Sequence, residues 1–390
     1  MALDMHKGEH EFVVSGERLN ELCQQWMMRD YIAVDTEFMR TNTFYAKLGL
    51  LQISDGDKAF LIDPLAIDEW SGYQRLCESE TTFILHSCSE DLSVLLSHFS
   101  YLPKYIFDTQ LAIAFLGEGA SLSYAALVKR ELDVEVDKGA TRTDWLKRPL
   151  DNEQCRYAAL DVAFLIPLQK LLSERLRSAK LDSFFVSECE RLLATAREVE
   201  SETSWALAYL GLNGAWKLKD KALAFAQKLC LWRETEARRR DKPKSWVAKD
   251  ADLSVLAAAY DRALGTGAAP SSFDEFLAAR DRQGIERHFL ERNERALNKL
   301  LLELVKRDAE TLRAPSRPLD QEQRKTLKRL QAAVERVALE RGVGVEVLAR
   351  KKQLLAYMEL AASSTQAWPP ELSAWKRDLL EKPLRQALSG

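Results

Sequence analysis

The secondary-structure signal changes at about residue 200, and this change constrains the fold more than any other feature of the 390-residue chain. Before it, runs rich in β-branched and aromatic residues predict strands that begin at Tyr31, Leu48, Lys58 and Thr82. Asp55-Gly56 between the second and third predicts a tight hairpin. After it, apolar residues recur at helical spacing. The sequence therefore predicts an α/β domain with a mixed sheet, followed by all-α units.

Local signals predict where helices begin and where the chain is interrupted. Ser15 is a candidate N-cap, and Ser87 with Glu90 fits a capping box. A single long helix is predicted for residues 151–176. Runs of small residues and prolines near 265–270 and 314–318 predict loops. The predicted domains are residues 1–200, residues 212–290 and residues 295–385.

Composition excludes several classes of protein. Hydrophobic residues make up 46% of the chain, enough for substantial cores, and no apolar run approaches the ~20 residues of a membrane span. The acidic first thirty residues do not resemble a signal peptide. Six scattered cysteines without a CxxC pair predict neither a zinc site nor a disulfide framework. We therefore expect a cytoplasmic protein with no membrane partner.

Charge is distributed unevenly along the chain. Residues 1–200 carry a net charge of −12, whereas residues 201–390 carry +9. Acidic clusters can collect metal ions, and basic domains can hold polyanions. The alternative is a chance drift in the charge of helical surfaces.

Asp35 and Glu37 lie two apart on an apolar predicted strand, so their side chains point to the same side. Two buried carboxylates repel each other, and a bound cation removes this conflict. Mg²⁺ prefers oxygen ligands. Taken alone, the pair also fits a structural role, such as a cap or a surface pair.

Further acids fit the same site. Asp91 lies at the start of the helix after the fourth predicted strand. Tyr157 and Asp161 are four residues apart and share one helix face. Four carboxylates can hold two cations ~3.5–4 Å apart, which activate a water and stabilise the leaving oxygen in phosphodiester hydrolysis.

These segments resemble the DEDD superfamily of 3′-to-5′ exonucleases and, within it, the ribonuclease D family. The matching motifs are Val34–Thr41 (VDTEFMRT), Leu85–Leu92 (LHSCSEDL) and Tyr157–Val162 (YAALDV), with a related segment at Thr141–Leu146 (TRTDWL). The resemblance covers nearly all of residues 1–200.

This resemblance implies a ribonuclease H-like fold and two divalent ions, Mg²⁺ or Mn²⁺. The implied ligands and catalytic residues are Asp35, Glu37, Asp91 and Asp161, with Tyr157 orienting the attacking water. That assignment places the chain in the tyrosine subclass. His86 stands five residues before Asp91 and imitates the histidine subclass, but we interpret it as a structural residue at a strand end.

The first helical unit resembles the helicase-and-ribonuclease-D C-terminal (HRDC) domain through residues 231–257, although its loop at 261–272 is longer than the family's. The second unit is HRDC-like in position and helical pattern. A basic run here predicts contacts with RNA phosphates. Its cations are Arg238, Arg239, Arg240, Lys242 and Lys244. A solvated helix end is the competing interpretation, and Trp246 is either a base-stacking residue or part of the core.

Candidate RNA contacts also occur in the first 200 residues. Phe38 either flanks the site or fills the core. Arg142, together with Lys147 and Arg148, either meets substrate phosphates or pairs with nearby acids.

The resemblance implies a 3′-to-5′ exoribonuclease that releases nucleoside 5′-monophosphates and trims tRNA precursors and other small structured RNAs. Separately, we expect a monomer. A DNA proofreading exonuclease and an inert RNA-binding scaffold are the rival hypotheses.

Overall fold

The computed structural model describes residues 9–119, 121–136, 143–218, 220–265, 287–305, 312–362 and 368–389. The chain divides into two compact units. Unit 1 comprises residues 1–39, 47–196 and 319–390, and unit 2 comprises residues 40–46 and 197–318. Among the described residues, no helix combines the length and the apolar character that crossing a membrane requires.

A six-stranded mixed sheet forms the centre of unit 1. Its strands are β1 (His10–Val13), β2 (Tyr31–Met39), β3 (Lys47–Ser54), β4 (Ala59–Ile62), β5 (Thr82–Leu85) and β6 (Tyr105–Asp108). Their order across the sheet is β1-β4-β3-β2-β5-β6. The pairs β2/β3 and β3/β4 are antiparallel, and the pairs β1/β4, β2/β5 and β5/β6 are parallel. The predicted mixed sheet is thus confirmed, and β2 to β5 correspond to the four predicted strands.

The helices of the first 200 residues cover this sheet and extend beyond it. They are α1 (Gly16–Trp26), α2 (Ser71–Glu78), α3 (Ser89–Phe99), α4 (Thr109–Phe115), α5 (Tyr124–Leu132), α6 (Asn152–Ala163), α7 (Leu165–Ser178) and α8 (Asp182–Val199). Ser15 caps α1 as predicted, because its hydroxyl accepts from the Arg18 amide. Two predictions were wrong. Cys88, not Ser87, is the N-cap of α3 and makes no side-chain cap bond, and the long helix is interrupted at Phe164.

The C-terminal part of unit 1 is a small helical assembly. Its helices are α14 (Gln321–Arg341), α15 (Val345–Leu348), α16 (Lys351–Ala362) and α17 (Ala374–Ser389). Leu330, Val334 and Leu380 form part of their shared core. Trp375 of α17 stacks on Phe184 of α8 with ring centroids 4.7 Å apart, so these helices and the sheet domain belong to one compact unit.

Unit 2 is helical in its described part. It contains α9 (Glu202–Ala206), α10 (Asp220–Arg240), α11 (Lys244–Val247), α12 (Asp250–Gly265) and α13 (Arg287–Val305), with 3₁₀ turns at Ala208–Gly211 and Ala215–Lys217. Leu297 and Leu301 of α13 are buried in the same core as Leu229 and Leu256. The boundary predicted at 290–295 therefore falls inside a helix whose two halves share one core.

Candidate active site

Two of the predicted ligands lie near the carboxyl end of β2, beyond the point where its neighbour β5 ends. β2 pairs with β5 only through Tyr31–Ala33, whereas β2 continues to Met39. Asp35 and Glu37 therefore lie beyond the paired part of β5. The turn that follows β5 and the start of α3 come next in the chain, and this brings Asp91 toward β2.

Three carboxylates meet at this end of the sheet. Asp35, Glu37 and Asp161 each offer an oxygen, and these oxygens lie within 4.8 Å of one another. The first two come from alternate positions of β2, and Asp161 comes from α6, which packs against β2, β3 and β4. The strand periodicity and the helical spacing inferred from the sequence thus converge on one point.

Asp91 lies beside this group of three but is not one of its members. Its carboxylate accepts a hydrogen bond from the hydroxyl of Thr36, the residue between the two β2 acids. Its charge is close enough to raise the pKa of Asp35 and of Glu37. Asp91 is therefore held at the margin of the site by a residue of β2.

Burial dominates the electrostatics of the four acids. It raises the pKa of Asp35 well above its ordinary value, and the charges of Asp91, Asp161 and Glu37 raise it further. Burial and the neighbouring charges of Asp161 and Asp91 raise the pKa of Glu37 to about 9.

Hydrogen bonds moderate this effect at the other two acids. Burial raises the pKa of Asp161 to about 7, although a hydrogen bond from Tyr157 lowers it. Burial raises the pKa of Asp91 to about 6, against the lowering effect of the Thr36 hydroxyl. Four clustered carboxylates without a counter-charge are thus unfavourable as anions.

The donor set fits a hard divalent cation. Mg²⁺ and Mn²⁺ take oxygen ligands, and three carboxylate oxygens within 4.8 Å of one another can ligate the same ion. A bound cation would also offset the mutual repulsion of the acids. Three of the four predicted acids, Asp35, Glu37 and Asp161, therefore form a group that could hold such an ion, and Asp91 lies outside that group.

Tyr157 lies one helical turn before Asp161 on α6, and its phenol contacts that carboxylate. Asp151 and Gln154 form a capping box that fixes the start of α6. Gln154 also donates to the Thr143 hydroxyl at 3.0 Å. The ring of Trp145 lies 6.3 Å from that of Tyr157, so the segment before α6 contributes to the surroundings of the tyrosine.

Arg148 does not have either of the partners expected for it from the sequence. It pairs with Asp63 through two bonds of 2.6 and 2.7 Å, and it donates to the carbonyl of Gly49. The predicted alternatives were substrate phosphates or the neighbouring acids Asp144 and Asp151. A guanidinium committed to a buried carboxylate fixes the segment before α6 on the sheet and is not available to RNA.

Gly49 shows how closely that segment approaches β3. A Cβ atom at this position would lie 2.7 Å from the Trp145 carbonyl oxygen, closer than real contacts allow. Glycine is therefore required here by the approach of another backbone.

Two supporting residues were missed by the sequence analysis. Asp108 at the end of β6 accepts from the backbone amides of Ser87 and Cys88 and caps α4. It thereby holds the turn that leads to Asp91, in which Ser87 has a φ of +61°. Its only sequence signal is an acid directly before the residues that form α4, a favourable N-cap position.

Tyr124 is the second supporting residue that the sequence analysis missed. Its hydroxyl donates to the Leu160 carbonyl and accepts from the Phe164 amide. These bonds fix the junction between α6 and α7 next to Asp161. Nothing in the local sequence around Tyr124, the first residue of α5, indicates this role.

Three further predicted residues have different outcomes. The ring nitrogens of His86 lie 2.9 Å from the Thr109 hydroxyl and 3.0 Å from the Leu122 carbonyl, which fits the structural role expected for it. Phe38 is half-buried and follows a register shift between β2 and β3. Arg142 lies outside the described residues.

In the basic run of unit 2, Arg238 also differs from the prediction. Arg238 was expected to contact RNA, but its side chain is only 9% exposed. It donates to Glu200 and Glu234, and its guanidinium lies 4.1 Å from the ring centre of Trp205 and 4.4 Å from that of Phe44. Its donors are used within unit 2, so Arg238 is a core cation.

The other cations of the run are more accessible. Arg239 and Arg240 both pair with Glu236, and Lys244 pairs with Glu234 at 2.6 Å. The Lys242 ammonium is exposed and lies 6.0 Å from the ring centre of Trp246, a residue that is itself 52% exposed.

Known proteins resemble this chain along its length. A family model described as 3′–5′ exonuclease matches residues 11–177. Ribonuclease D of Pseudomonas paraeruginosa is 35% identical, over 98% of this chain and 98% of its own length. Ribonuclease D of Escherichia coli K12 is 32% identical, over 97% of this chain and 98% of its own.

A solved structure agrees with these relatives. The crystal structure of Escherichia coli RNase D, described as an exoribonuclease involved in structured RNA processing, matches with a TM-score of 0.84 at 29% identity. The match covers 98% of this chain and 99% of that one. The chain therefore belongs to the ribonuclease D family and is a 3′–5′ exoribonuclease, a hydrolase.

Proposed function

We propose that this exoribonuclease works with two divalent ions, Mg²⁺ or Mn²⁺, and releases nucleoside 5′-monophosphates from RNA 3′ ends. The observation that carries the proposal is the convergence of Asp35, Glu37 and Asp161 within 4.8 Å. Asp91, at the margin of this group, would complete the ligands of the second ion. Bound ions supply an activated water and neutralise charge on the leaving oxygen.

The chain's own residues would prepare this chemistry. The four acids hold their oxygens on β2, α3 and α6, elements whose relative positions are fixed by the sheet and its hydrogen bonds. Burial raises the pKa of the Tyr157 phenol far above its usual range, so the hydroxyl stays protonated and acts as a hydrogen-bond donor. We propose that it orients the attacking water and does not remove its proton.

Further features of the proposal concern substrate and setting. We propose tRNA precursors with 3′ extensions and other small structured RNAs as substrates, in line with the description of the Escherichia coli relative. The helical units, proposed to be HRDC-type, would hold the RNA body. All six cysteines are free thiols, which fits the proposed cytoplasmic location, and we propose a monomer, to be checked by sedimentation.

The first experiment measures the shortening of a tRNA that carries a short 3′ extension, with Mg²⁺, with Mn²⁺ and with chelator. Asp35→Asn removes one ligand charge without changing the shape of the side chain. Asp68→Asn is the matched control at an exposed acid outside the site. We expect stepwise, metal-dependent shortening by the wild type and the control, and none by Asp35→Asn.

Single-stranded DNA and an unstructured RNA are the comparison substrates that distinguish the proposed function from its rivals. Single-stranded DNA shortened faster than RNA would move the protein to the proofreading class. RNA bound tightly but left intact under both metals would favour a scaffold. An unstructured RNA trimmed as fast as the extended tRNA would contradict the proposed preference for structured RNA and leave the chemistry intact.

A further inference from the structure

Gln52 is a buried amide without a hydrogen-bond partner. It lies in the middle of β3 and is fully buried. Neither its Oε1 nor its Nε2 has a partner among the described residues. A buried amide that makes no hydrogen bond is costly, and an apolar side chain of similar size would be more stable at such a position. The presence of an amide here therefore requires an explanation.

The strand register places Gln52 directly beside the active site. It is the antiparallel partner of Asp35 on β2 and faces Leu61 of β4 on its other side. Residues directly opposite each other in an antiparallel pair point to the same face, with Cβ atoms about 4.5–5.5 Å apart. The amide is thus next to the Asp35 carboxylate on one side and next to an apolar side chain on the other.

The remaining surroundings give the amide no other obvious role. Ser54, the next residue of β3 on this face, already accepts from the Gly56 amide. The helix α6, which brings Asp161 to the site, covers this part of β2, β3 and β4. The terminal torsion of glutamine is soft, so the amide nitrogen of Gln52 can be reoriented, and Asp35 is the polar side chain opposite it in the strand register.

We propose that Gln52 is a positioning residue for Asp35: its amide nitrogen donates to the carboxylate oxygen that faces away from the bound ion and so fixes the orientation of that ligand. The inference rests on the proposed metal centre. It explains why a costly buried amide is present, because partners of metal ligands restrict ligand rotation and raise metal affinity.

The test uses two variants and two readouts. Gln52→Met keeps the unbranched shape and removes the amide. Gln169→Met is the matched control, because Gln169 on α7 is also buried and its Oε1 also lacks a partner, but it is not part of the acidic cluster. The readouts are the melting temperature of the metal-free protein, and Mn²⁺ affinity by calorimetry with the Mn²⁺ paramagnetic resonance spectrum.

We expect Gln52→Met to raise the melting temperature and yet to weaken Mn²⁺ binding by about 10–100-fold, with an altered Mn²⁺ spectrum. The control should bind Mn²⁺ as the wild type does. A purely structural amide would not combine greater stability with weaker metal binding. If Gln52→Met does not fold, Gln52→Leu gives the same comparison.

Wild-type Mn²⁺ affinity and spectrum in a folded Gln52 variant would overturn the inference while leaving the proposed function in place. Equal weakening in the Gln169 control would also overturn it. A wild-type protein that binds no Mn²⁺ would instead overturn the metal centre, and this inference with it.

Discussion

At the scale of single residues, the site separates the group that donates a hydrogen bond from the groups that carry charge. Burial, followed by the charges of Asp161 and Glu37, raises the pKa of Tyr157 far above its usual range. The phenol is therefore neutral at physiological pH. Its contribution is the direction of one O–H bond, and the carboxylates supply the negative charge.

Tyr157→Phe removes only that O–H bond. We expect kcat on RNA to fall by about 10²-fold or more, because a misdirected water loses alignment with the phosphorus atom. Mn²⁺ affinity should remain within a few-fold of the wild type, since the carboxylates are unchanged. Single-turnover kinetics and calorimetry measure the two quantities, and Tyr31→Phe at an exposed position is the control. A parallel loss of Mn²⁺ affinity would show that the hydroxyl mainly holds Asp161.

Arg238 gives a prediction opposite to the one its sequence context favours. Arg238→Ala leaves the nearly buried carboxylate of Glu234 with Lys244 as its remaining ion-pair partner. Because Lys244 still compensates Glu234, we expect a loss smaller than the about 3–5 kcal/mol of an uncompensated buried charge, seen as denaturant unfolding of unit 2 at a lower midpoint. RNA affinity of the folded variant should be unchanged in fluorescence anisotropy.

Arg239→Ala, at a 65% exposed side chain, is the comparison for Arg238. It should leave stability nearly unchanged, because exposed pairs contribute little. A stable Arg238→Ala protein with weakened RNA binding would return Arg238 to the RNA surface.

At the scale of elements, the sequence predicts the helices and strands that depend on neighbouring residues, but not the features that depend on residues distant in the chain. The Ser15 cap and the strands β2 to β5 depend on neighbouring residues, so the sequence contained them. β1 and β6 were not predicted, and their places in the sheet come from parallel pairing with β4 and β5, strands that lie farther along or back in the chain. The Ser87 capping box failed because Asp108, from β6, holds the backbone amides of that turn.

The acids of the site were predictable for a similar reason. Period-two alternation on β2 and a spacing of four on α6 are local rules, and they put Asp35 with Glu37 on one strand face and Tyr157 with Asp161 on one helix face, whereas the meeting of the two elements is non-local. The partners of Arg148 and Arg238 were not predictable, since Asp63 and Glu200 lie 85 and 38 residues away in the chain.

The salt bridge between Glu11 of β1 and Arg18 of α1 predicts that the stability of the protein depends on pH. A hydrogen bond from Arg18, assisted by Lys58, lowers the pKa of Glu11 from 4.5 to about 2. A lowered folded-state pKa stabilises the protein above pH 4.5, and this stabilisation is lost as the pH falls toward 2. Glu11→Gln should therefore melt below the wild type at pH 7, with the difference narrowing between pH 4.5 and 2.

Melting curves between pH 3 and 7 test the Glu11 prediction. Glu9→Gln, which changes the net charge equally at an exposed position, is the control. A Glu11→Gln difference that stays constant across this range would refute the assignment.

At the scale of the whole molecule, unit 1 is assembled from segments that are distant in the chain. Glu188 of α8 pairs at 3.2 Å with Lys376 of α17, whose side chain is 2% exposed. Burial lowers the pKa of Lys376 to about 8, although the charge of Glu188 opposes this. The pair therefore connects the sheet domain to the C-terminal helices through a buried ionic contact.

Lys376→Met removes the cation and leaves Glu188 buried. We expect a loss of stability below the about 3–5 kcal/mol of a buried charge left with no partner, because Arg191, Ser373 and Trp375 still contact Glu188. The double variant Glu188→Gln/Lys376→Met should recover part of this loss, because it also removes the buried charge of Glu188, and Arg191, which loses this partner, is partly exposed to solvent. Denaturant unfolding of the wild type, both single variants and the double variant measures the coupling. Additive effects of the two substitutions would indicate that the contact contributes nothing.

The discontinuity of unit 1 has a consequence for synthesis on the ribosome. Residues 1–196 emerge before residues 319–390, and at about 5–20 residues per second the interval between residue 196 and residue 390 is about 10–40 s. During that time Phe184 lacks Trp375, and Glu188 lacks Lys376. Unit 1 therefore stays incomplete while residues 197–318 are synthesised, and it acquires its full resistance to proteolysis only after α17 has left the ribosome.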